Sequence, residues 1–244
     1  MWWPNSNTNG WTYLEFDLSA YKDKTVRLKF GTYNDGNDGK STMWVDTVYL
    51  DACAGVTPPV GCYEALSNRS FENNTAWIIP ATKYSAGYST YQAHTGSRSM
   101  RSGIYHASHN VFSYSDFRQK VTIPSNSTSA ELKVWIWPKS TQPDAKIGAP
   151  LIEPQIVNGK LQMNPDSSDG QYILVLDKYG YILDQLWWKS PPRDDQSWNS
   201  HVFNLMPWNG KTIYLQFGVY NNGLDGVTSM FVDDASVEIC LPDP

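Results

Sequence analysis

The sequence predicts an all-β fold, an antiparallel β-sandwich, on three observations. No stretch of ten or more residues carries the 3.6-residue apolar period of an amphipathic helix. Short segments with apolar residues at alternate positions, rich in Val, Ile, Tyr, Trp and Thr, recur between clusters of Gly, Pro, Asn and Asp. One group of these segments occurs twice. Many short strands separated by turn residues are typical of sandwiches and barrels.

The repeated stretch comprises residues 11–53 and residues 198–240. The two copies align without a gap at an offset of 187, and 17 of 43 positions are identical. The pair Trp2-Trp3 also matches the pair Trp187-Trp188. A repeat of this length indicates two homologous modules.

The repeat divides the chain into four segments. Residues 62–240 are expected to form one complete module, and residues 1–53 the C-terminal half of a homologous one. Residues 54–61, AGVTPPVG, are expected to be a Pro-rich linker, because proline cannot donate to a sheet ladder. Residues 241–244, LPDP, resemble the start of a further linker. We therefore expect a piece of a longer multi-module protein; the alternative is a natural chain whose half-module pairs with something else.

Alternating apolar segments predict eleven strands in the complete module. They lie near 68–72, 89–93, 98–104, 111–113, 116–123, 130–137, 171–177, 181–188, 200–205, 211–220 and 228–239. The segment 140–170 has four prolines and little periodicity. Because long insertions in compact domains are often functional, it could cap one end of a groove; the alternative is a tolerated surface loop.

Composition excludes some function classes. The net charge is −5 with 19 Lys and Arg, and no basic run occurs, so we expect no binding to nucleic acid or an anionic membrane. No apolar stretch approaches the length of a transmembrane helix, so we expect no membrane span. Eleven Trp and fifteen Tyr are enough for a sandwich core with aromatic residues left over for surfaces.

Three cysteines, Cys53, Cys62 and Cys240, lie at the module edges. If the first and last strands of the complete module are neighbours, Cys62 and Cys240 pair and fasten its ends, which is the pairing we favour. The rival pairing joins Cys53 to Cys62 across the linker and leaves Cys240 free. Either pairing indicates an oxidising, extracytoplasmic setting, so we expect a secreted or cell-surface protein.

Several motifs of the complete module resemble the landmarks of one family. Asn68–Glu72 followed by Trp77 resembles an N-x-x-F-E…W opening, and Phe117–Pro124 is similar to an S-x-x-Q-x-V-x-V-P strand. Phe231–Asp234 resembles a closing V-D-D-V strand. These motifs are those of carbohydrate-binding-module-like (galactose-binding-domain-like) jelly rolls. The resemblance covers the complete module and, by its last third, the half-module. It implies a jelly roll in a secreted bacterial protein of repeated modules. One departure is Asn204, which stands where the F-D-L-S element of the family has Asp.

The resemblance also implies one structural Ca²⁺. Its ligands would be Glu72, Thr95 and Ser97 of a small-residue turn, and Asp233. Ca²⁺ prefers hard oxygen ligands, which carboxylates and carbonyls supply. Two carboxylates buried together without a cation would repel each other. The first repeat keeps Asp46 at the position of Asp233. The alternative is that both carboxylates are solvated or bonded to turn amides.

Two similar loops, Asn34–Gly39 (NDGNDG) and Asn221–Gly226 (NNGLDG), have the composition of calcium loops. Both lack the acidic residue that completes an EF-hand, and both lie between predicted strands. Asn, Asp and Gly tolerate positive φ angles, so we interpret both loops as turns.

Alternation along the predicted strands places aromatic residues on outward faces. They are Trp135, Trp137, Trp188, Tyr214 and Tyr220. Flat rings pack against the apolar C–H face of a sugar ring, while nearby polar groups bond its hydroxyls. We expect these five residues to line one sugar-binding groove. The alternative is that they lie beneath the insertion, or between modules, as ordinary core.

Catalysis has little support, because no G-x-S-x-G, H-E-x-x-H or P-loop motif occurs, and we expect no enzyme. The leading hypothesis is a non-catalytic module that binds a polysaccharide or other glycan through surface aromatics, with calcium for rigidity. The alternative is a structural or adhesive repeat that mediates module or subunit assembly. Neighbouring modules are expected partners, and the apolar strand face of residues 11–53 invites association.

Overall fold

A computed structural model gives the structure of the chain. It describes residues 12, 14–22, 24–37, 39–45, 48, 61–142, 155–162, 168–190, 192–224 and 226–242. The chain divides into two units, Met1–Pro58 and Pro59–Pro244. Among the described residues of the first unit, the one regular element is the 3-10 helix Ser19–Tyr21, and most side chains are exposed. No helix in the described part of the chain is long and apolar enough to cross a membrane.

The second unit contains every strand found in the described ranges. They are β1 (Cys62–Glu64), β2 (Gly87–Ser89), β3 (Ser99–Gly103), β4 (Ser113–Thr122), β5 (Ser129–Ser140), β6 (Gln155–Val157), β7 (Lys160–Gln162), β8 (Gly170–Leu176), β9 (Ile182–Lys189), β10 (Asn199–Asn204), β11 (Thr212–Asn221) and β12 (Thr228–Cys240). Two further 3-10 helices, Ala107–His109 and Met206–Trp208, lie in connections.

The strands form an antiparallel β-sandwich, which confirms the predicted fold class. A six-stranded sheet has the order β10-β5-β12-β3-β2, with β1 also paired to β12, and a four-stranded sheet has the order β4-β11-β8-β9. Successive strands from β3 to β5, and again from β9 to β12, alternate between the two sheets, as in a jelly roll. The remaining pair, β6 and β7, is a separate hairpin inside the predicted insertion.

The hydrophobic core lies between the two sheets. Side chains of a strand point alternately to its two faces, so every second residue of β5 and β11 enters this core. The core residues of these two strands are Leu132, Val134, Ile136, Ile213, Leu215, Phe217 and Val219. On β9 the same alternation sends Trp187 into the core and Trp188 to the opposite face. The face of each sheet that points away from the core is therefore available for other contacts.

The disulfide Cys62–Cys240 confirms the favoured pairing. Cys62 of β1 lies directly opposite Cys240 of β12 in the sheet, so the first and last strands are neighbours. The bond closes a loop of 178 residues, for which chain-entropy arguments give about 4–5 kcal/mol of stabilisation. Cys53 lies outside the described residues.

The strand predicted near 68–72 is wrong. Asn68 and Phe71 have φ angles of 47° and 56°, which no strand can accommodate. The Asn68 side chain hydrogen-bonds to the backbone of Asn73 and Thr75, and such local bonds compete with a sheet ladder. The loop that results inserts Phe71 into the core against Trp77, at 5.0 Å between ring centroids.

Candidate functional site

The outer face of the four-stranded sheet carries a second group of aromatic side chains, separate from the core. We call it the aromatic face. It consists of Tyr114, Asp116 and Arg118 of β4, Tyr172, Leu174 and Leu176 of β8, Trp188 of β9, and Tyr214, Gln216 and Tyr220 of β11. These residues alternate with core residues such as Phe117, Ile173 and Phe217, which fixes the direction in which they point. One strand pattern thus builds both the core and this surface.

Two glycines determine how the rings lie on the aromatic face. Gly218 of β11 is directly opposite Tyr172 of β8, and a Cβ atom at position 218 would overlap the Tyr172 ring. A Cβ atom at position 170 would likewise overlap the indole of Trp188. Because neither position carries a side chain, the rings lean over the sheet. Tyr172 and Trp188 consequently stack, with 5.6 Å between centroids and 9° between planes.

The aromatic face has an apolar part and a polar part. In the apolar part, Leu174 and Leu176 are buried, and Leu161 of the β6–β7 hairpin packs against them together with Ile182. The backbone N–H of Ile182 donates to Gly159 O of this hairpin at 2.7 Å. The insertion therefore covers one part of the aromatic face. The polar part lies on β4, across Gly218 from Tyr172.

Asp116 and Arg118 are the charged residues at the polar part. Asp116 is buried and makes no hydrogen bond or ion pair with any residue that the structure describes. Burial raises the pKa of its carboxyl to about 6, although the Arg118 charge opposes this shift. The Nε of Arg118 is also buried and has no hydrogen-bond partner among the described residues. The Arg118 guanidinium lies 5.6 Å from the ring centroid of Tyr214. An acceptor without a donor and a donor without an acceptor thus lie on one strand face, two residues apart.

The strand register aligns Asp116 with the stacked rings. Asp116 is opposite Gly218, Gly218 is opposite Tyr172, and Tyr172 is opposite Trp188. The ring of Tyr172 crosses the empty position at Gly218 towards the carboxylate. Burial first, and then the Asp116 charge, raise the pKa of the Tyr172 hydroxyl well above its usual value. The carboxylate and the two rings therefore form one row across the sheet.

The structure does not bring the five predicted aromatic residues together. Trp188, Tyr214 and Tyr220 lie on the aromatic face, and Tyr220 is fully buried against Phe112 and Tyr114. Trp188 and Tyr214 are partly exposed and are the members of this set that a ligand can reach.

Trp135 and Trp137 lie on β5, on the outer face of the six-stranded sheet, so the core separates them from the other three. Trp135 stacks on His94 at 4.0 Å between centroids. Trp137 is buried edge-on against Phe231. The single groove expected from the sequence is therefore divided between two opposite faces, because alternation cannot tell which sheet a strand joins.

The four predicted calcium ligands do meet at one turn. The Glu72 carboxylate accepts from the backbone N–H of Ser97 and from its hydroxyl, at 2.9 and 2.8 Å. The Asp233 carboxylate accepts from the backbone N–H of His94 and Thr95, at 2.8 and 3.1 Å. Gly96 lies between these contacts, and a Cβ atom there would overlap the Glu72 carboxylate. The two carboxylates thus hold the turn from both ends.

Each of the two carboxylates accepts three hydrogen bonds at this turn. The N–H of Arg98 adds a third bond to Glu72, and the N–H of Asp234 adds a third to Asp233. Backbone and hydroxyl bonds from Ser97 lower the pKa of Glu72, whereas burial raises that of Asp233 to about 6 against its three backbone bonds. In the described part of the chain, no group of three or more His, Cys, Asp or Glu is arranged to hold a metal ion.

Asp234 supports the same turn from a strained position. It lies at a β-bulge of β12 with a φ angle of 46°. Its carboxylate contacts the His94 ring nitrogen Nδ1 at 2.7 Å and accepts from the Thr95 hydroxyl at 2.7 Å. The equivalent residue of the first repeat is Thr47.

Comparison with known proteins gives distant likenesses. No protein-family model matches the chain. Bacillopeptidase F of Bacillus subtilis (strain 168) is 25% identical over 230 residues, which cover 74% of this chain and 16% of that protein. The chain therefore spans about a sixth of the length of this curated relative.

Among solved structures, three illustrate the range of likeness. A CBM61 module (TmCBM61) in complex with β-1,4-galactotriose has a TM-score of 0.42 and 13% identity, covering 72% of this chain and 97% of that one. The CBM22-1 xylan-binding domain of Paenibacillus barcinonensis Xyn10C has a TM-score of 0.40 and 14% identity, covering 77% and 100%. The K1 cleaved adhesin domain of the Porphyromonas gingivalis W83 Lys-gingipain has a TM-score of 0.44 and 11% identity, covering 73% and 96%. The β-sandwich itself is established by the strand pairing described above.

Proposed function

We propose that the aromatic face binds a polysaccharide or other glycan, and that the chain is a non-catalytic carbohydrate-binding module of a secreted or cell-surface protein with neighbouring modules. The disulfide Cys62–Cys240 supports the extracytoplasmic location, because such bonds persist in oxidising compartments. A glycan is the ligand class expected from the sequence, but the proposed site lies on the outer face of the four-stranded sheet alone.

The observation that carries the proposal is the pair of unmatched groups at Asp116 and Arg118. An ionised carboxylate only accepts hydrogen bonds, and a guanidinium only donates them. A buried polar group without a partner, such as the Nε of Arg118, costs about 1–3 kcal/mol. A hydroxyl is both donor and acceptor, so neighbouring hydroxyls of one sugar can satisfy both residues. Water satisfies them too, but it brings no apolar surface to the rings beside them.

The rings supply the second half of the recognition. Trp188 and Tyr214 are partly exposed, and each presents a flat apolar surface on the same sheet face as the charged pair, Tyr214 next to Arg118 and Trp188 at the opposite edge of the sheet. Tyr172 is buried beneath Trp188 and holds the indole in place rather than contacting a ligand itself. A sugar ring with apolar C–H groups on one face and hydroxyls at its edge matches this combination.

Affinity electrophoresis tests the proposal with soluble plant, bacterial and host polysaccharides, including xylan and galactan. Isothermal titration calorimetry then measures Kd for each polysaccharide that retards the protein. We expect at least one to bind, and we expect Trp188→Ala and Arg118→Ala each to weaken binding about tenfold or more, which corresponds to about 1.4 kcal/mol.

The matched control is Trp135→Ala, which removes a partly exposed indole from the opposite face. Its Kd should equal that of the unaltered chain. The proposal is overturned if no polysaccharide retards the protein, or if Trp135→Ala weakens binding as much as Trp188→Ala does.

We also propose a structural Ca²⁺ at Glu72, Thr95, Ser97 and Asp233. Its support is that two carboxylates flank one turn, which brings hard oxygens together. The ion would have to replace some of the amide hydrogen bonds present there. Thermal unfolding in millimolar Ca²⁺ and in EDTA tests this: a higher Tm with Ca²⁺, abolished in Glu72→Gln, is expected. Equal Tm values in the two buffers would eliminate the site.

A further inference from the structure

Two of the four histidines lie together on one exposed turn. The 3-10 helix Ala107–His109 follows β3, with His106 at its N-cap and His109 as its last residue. The backbone N–H of His109 donates to His106 O at 3.0 Å, which closes the turn. Side chains three positions apart lie one above the other in a 3-10 helix. The two imidazole centroids are accordingly only 6.1 Å apart, and both residues are exposed.

The separation of the two rings suits a shared metal ion. An imidazole nitrogen binds Zn²⁺ at about 2.0–2.1 Å, which puts the ring centroid about 3.2 Å from the ion. Two imidazoles on one ion therefore have centroids at most about 6.4 Å apart, and about 5.2 Å apart in tetrahedral geometry. The observed 6.1 Å lies inside the upper limit. Because both side chains are exposed, rotation supplies the approach of about 1 Å that tetrahedral coordination needs.

A tyrosine hydroxyl occupies one nitrogen of each imidazole and leaves the other nitrogen open. His106 Nε2 is hydrogen-bonded to the Tyr91 hydroxyl and His109 Nδ1 to the Tyr84 hydroxyl, each at 3.2 Å. No described residue makes a hydrogen bond with Nδ1 of His106 or with Nε2 of His109. A metal-ligating histidine uses its second nitrogen in this way, because a hydrogen bond there fixes the ring and its tautomer. The two open nitrogens are therefore the ones that we expect to coordinate an ion.

The two tyrosines are themselves held in place. The Arg101 guanidinium lies over the Tyr84 ring, 4.8 Å from its centroid, and donates to Ser85 O at 3.0 Å. Tyr91 stacks on Tyr105, with 5.1 Å between centroids and 16° between planes. Tyr84 precedes β2 and Tyr91 follows it. Two separate segments therefore limit the directions in which the imidazoles point.

The donor atoms select the class of ion. Among the described residues, no third His, Cys, Asp or Glu joins the pair, so the protein offers imidazole nitrogen without carboxylate oxygen. Imidazole suits Zn²⁺, Cu²⁺ and Ni²⁺, whereas Ca²⁺ and Mg²⁺ prefer oxygen ligands. Arg101 and Lys139 lie over the rings of Tyr84 and Tyr105 rather than against the imidazoles. Their charges oppose a cation, but neither side chain occupies an open nitrogen.

We propose that His106 and His109 bind one divalent transition-metal ion, Zn²⁺, Cu²⁺ or Ni²⁺, through the nitrogens that the tyrosine hydroxyls leave open. Water would fill the remaining coordination positions. Tyr84 and Tyr91 are positioning residues, which act on the ion through the imidazoles. The site shares no residue with the aromatic face or with the proposed Ca²⁺ site, and it does not depend on glycan binding.

Isothermal titration calorimetry of the full chain with ZnCl₂, CuCl₂ and NiCl₂ tests the proposal. The chain carries no histidine tag, and any free thiol is alkylated first, which removes cysteine as a competing ligand. We expect at least one of the three ions to bind, with one ion per chain. His106→Ala and His109→Ala should each abolish this binding, because a single exposed imidazole is left.

Tyr91→Phe tests the positioning role, because it removes the hydroxyl and keeps the ring. The affinity for the ion should fall about tenfold, as is typical when a hydrogen-bond partner of a metal-bound histidine is lost. The Tm measured without metal should equal that of the unaltered chain, because Tyr91 is 59% exposed. An unchanged affinity would show that the hydroxyl does not position His106.

The matched controls are His94→Ala and His201→Ala, which remove the other two histidines of the chain. His94 contacts the Asp234 carboxylate, and His201 is half-buried. Both variants should bind the ion as the unaltered chain does. The proposal is overturned if none of the three ions binds, if binding survives when His106 and His109 are both replaced by alanine, or if a folded control loses it as well.

Discussion

Asp116 and Asp233 are buried carboxylates on opposite faces of the sandwich, and burial raises the pKa of each to about 6. Their surroundings differ. Asp233 accepts three backbone N–H bonds from His94, Thr95 and Asp234. Asp116 accepts none from the described residues and has only the charge of Arg118 nearby.

The comparison shows that a raised pKa by itself does not identify a binding site. In both residues the shift reports removal from water, which disfavours the charged form. What separates them is the use of their lone pairs. Asp233 uses them to hold a turn, whereas no hydrogen bond from a described residue occupies those of Asp116. We therefore assign a structural role to Asp233, and Asp116 belongs to the glycan site that we propose.

The substitution Asp233→Asn should destabilise the fold. An amide has one acceptor oxygen, so it leaves at least one of the three N–H groups unsatisfied and places its own NH₂ against another. Loss of charge-assisted bonds and an unsatisfied donor should lower the free energy of unfolding by about 3 kcal/mol, and removal of the buried charge offsets part of this at pH 7, because burial raises the pKa of Asp233 to about 6. Urea denaturation measures it. A variant as stable as the unaltered chain would show that these bonds contribute little, and the contrast with Asp116 would fail.

The substitution Gly218→Ala should also destabilise the fold. The added methyl group overlaps the Tyr172 ring, so the ring must move or the strands must separate. Overpacking of this kind costs about 1–3 kcal/mol, and we expect about 2 kcal/mol in urea denaturation. Because Trp188 stacks on Tyr172, glycan affinity should fall as well. Gly87→Ala is the control, since a Cβ there meets only the Arg101 side chain at 3.8 Å. Equal stability of the two variants would contradict the role of Gly218.

Much of the fold follows from the sequence because alternation is a local property. The spacing of Leu132, Val134 and Ile136 was enough to tell core from outer face, and neighbouring terminal strands were enough to favour Cys62–Cys240. The loop at Asn68 could not be foreseen in this way, because one side chain replaces the ladder with bonds to its own backbone.

The site was less predictable because it depends on which strands pair. The five aromatic residues were all expected to point outward, but their division between two sheets requires the strand order. Asp116 was missed because β4 was expected to begin there, whereas it begins at Ser113. A predicted strand that began at Ser113 would have placed Tyr114, Asp116 and Arg118 on one face, because side chains two positions apart point to the same side of a strand. The pairing of Asp116 with Gly218, which admits the Tyr172 ring, could not have been found from spacing.

The substitution Asp116→Asn should have the opposite sign and stabilise the fold. The folded-state pKa of about 6 lies above the usual value of 3.8, so the folded protein binds this proton more tightly than the unfolded chain. The stability that the protonated form contributes is full below about pH 4 and is lost as the pH rises through 6. Asparagine removes this loss, so the variant should be more stable than the unaltered chain by up to about 3 kcal/mol at pH 7. Urea denaturation from pH 4 to pH 7 should show the difference shrinking to near zero at the acidic end, and a constant difference would contradict it. The same variant should bind glycan more weakly than the unaltered chain at pH 7, because an amide has one acceptor oxygen where the carboxylate has two. A group that binds ligand is often retained although it reduces stability.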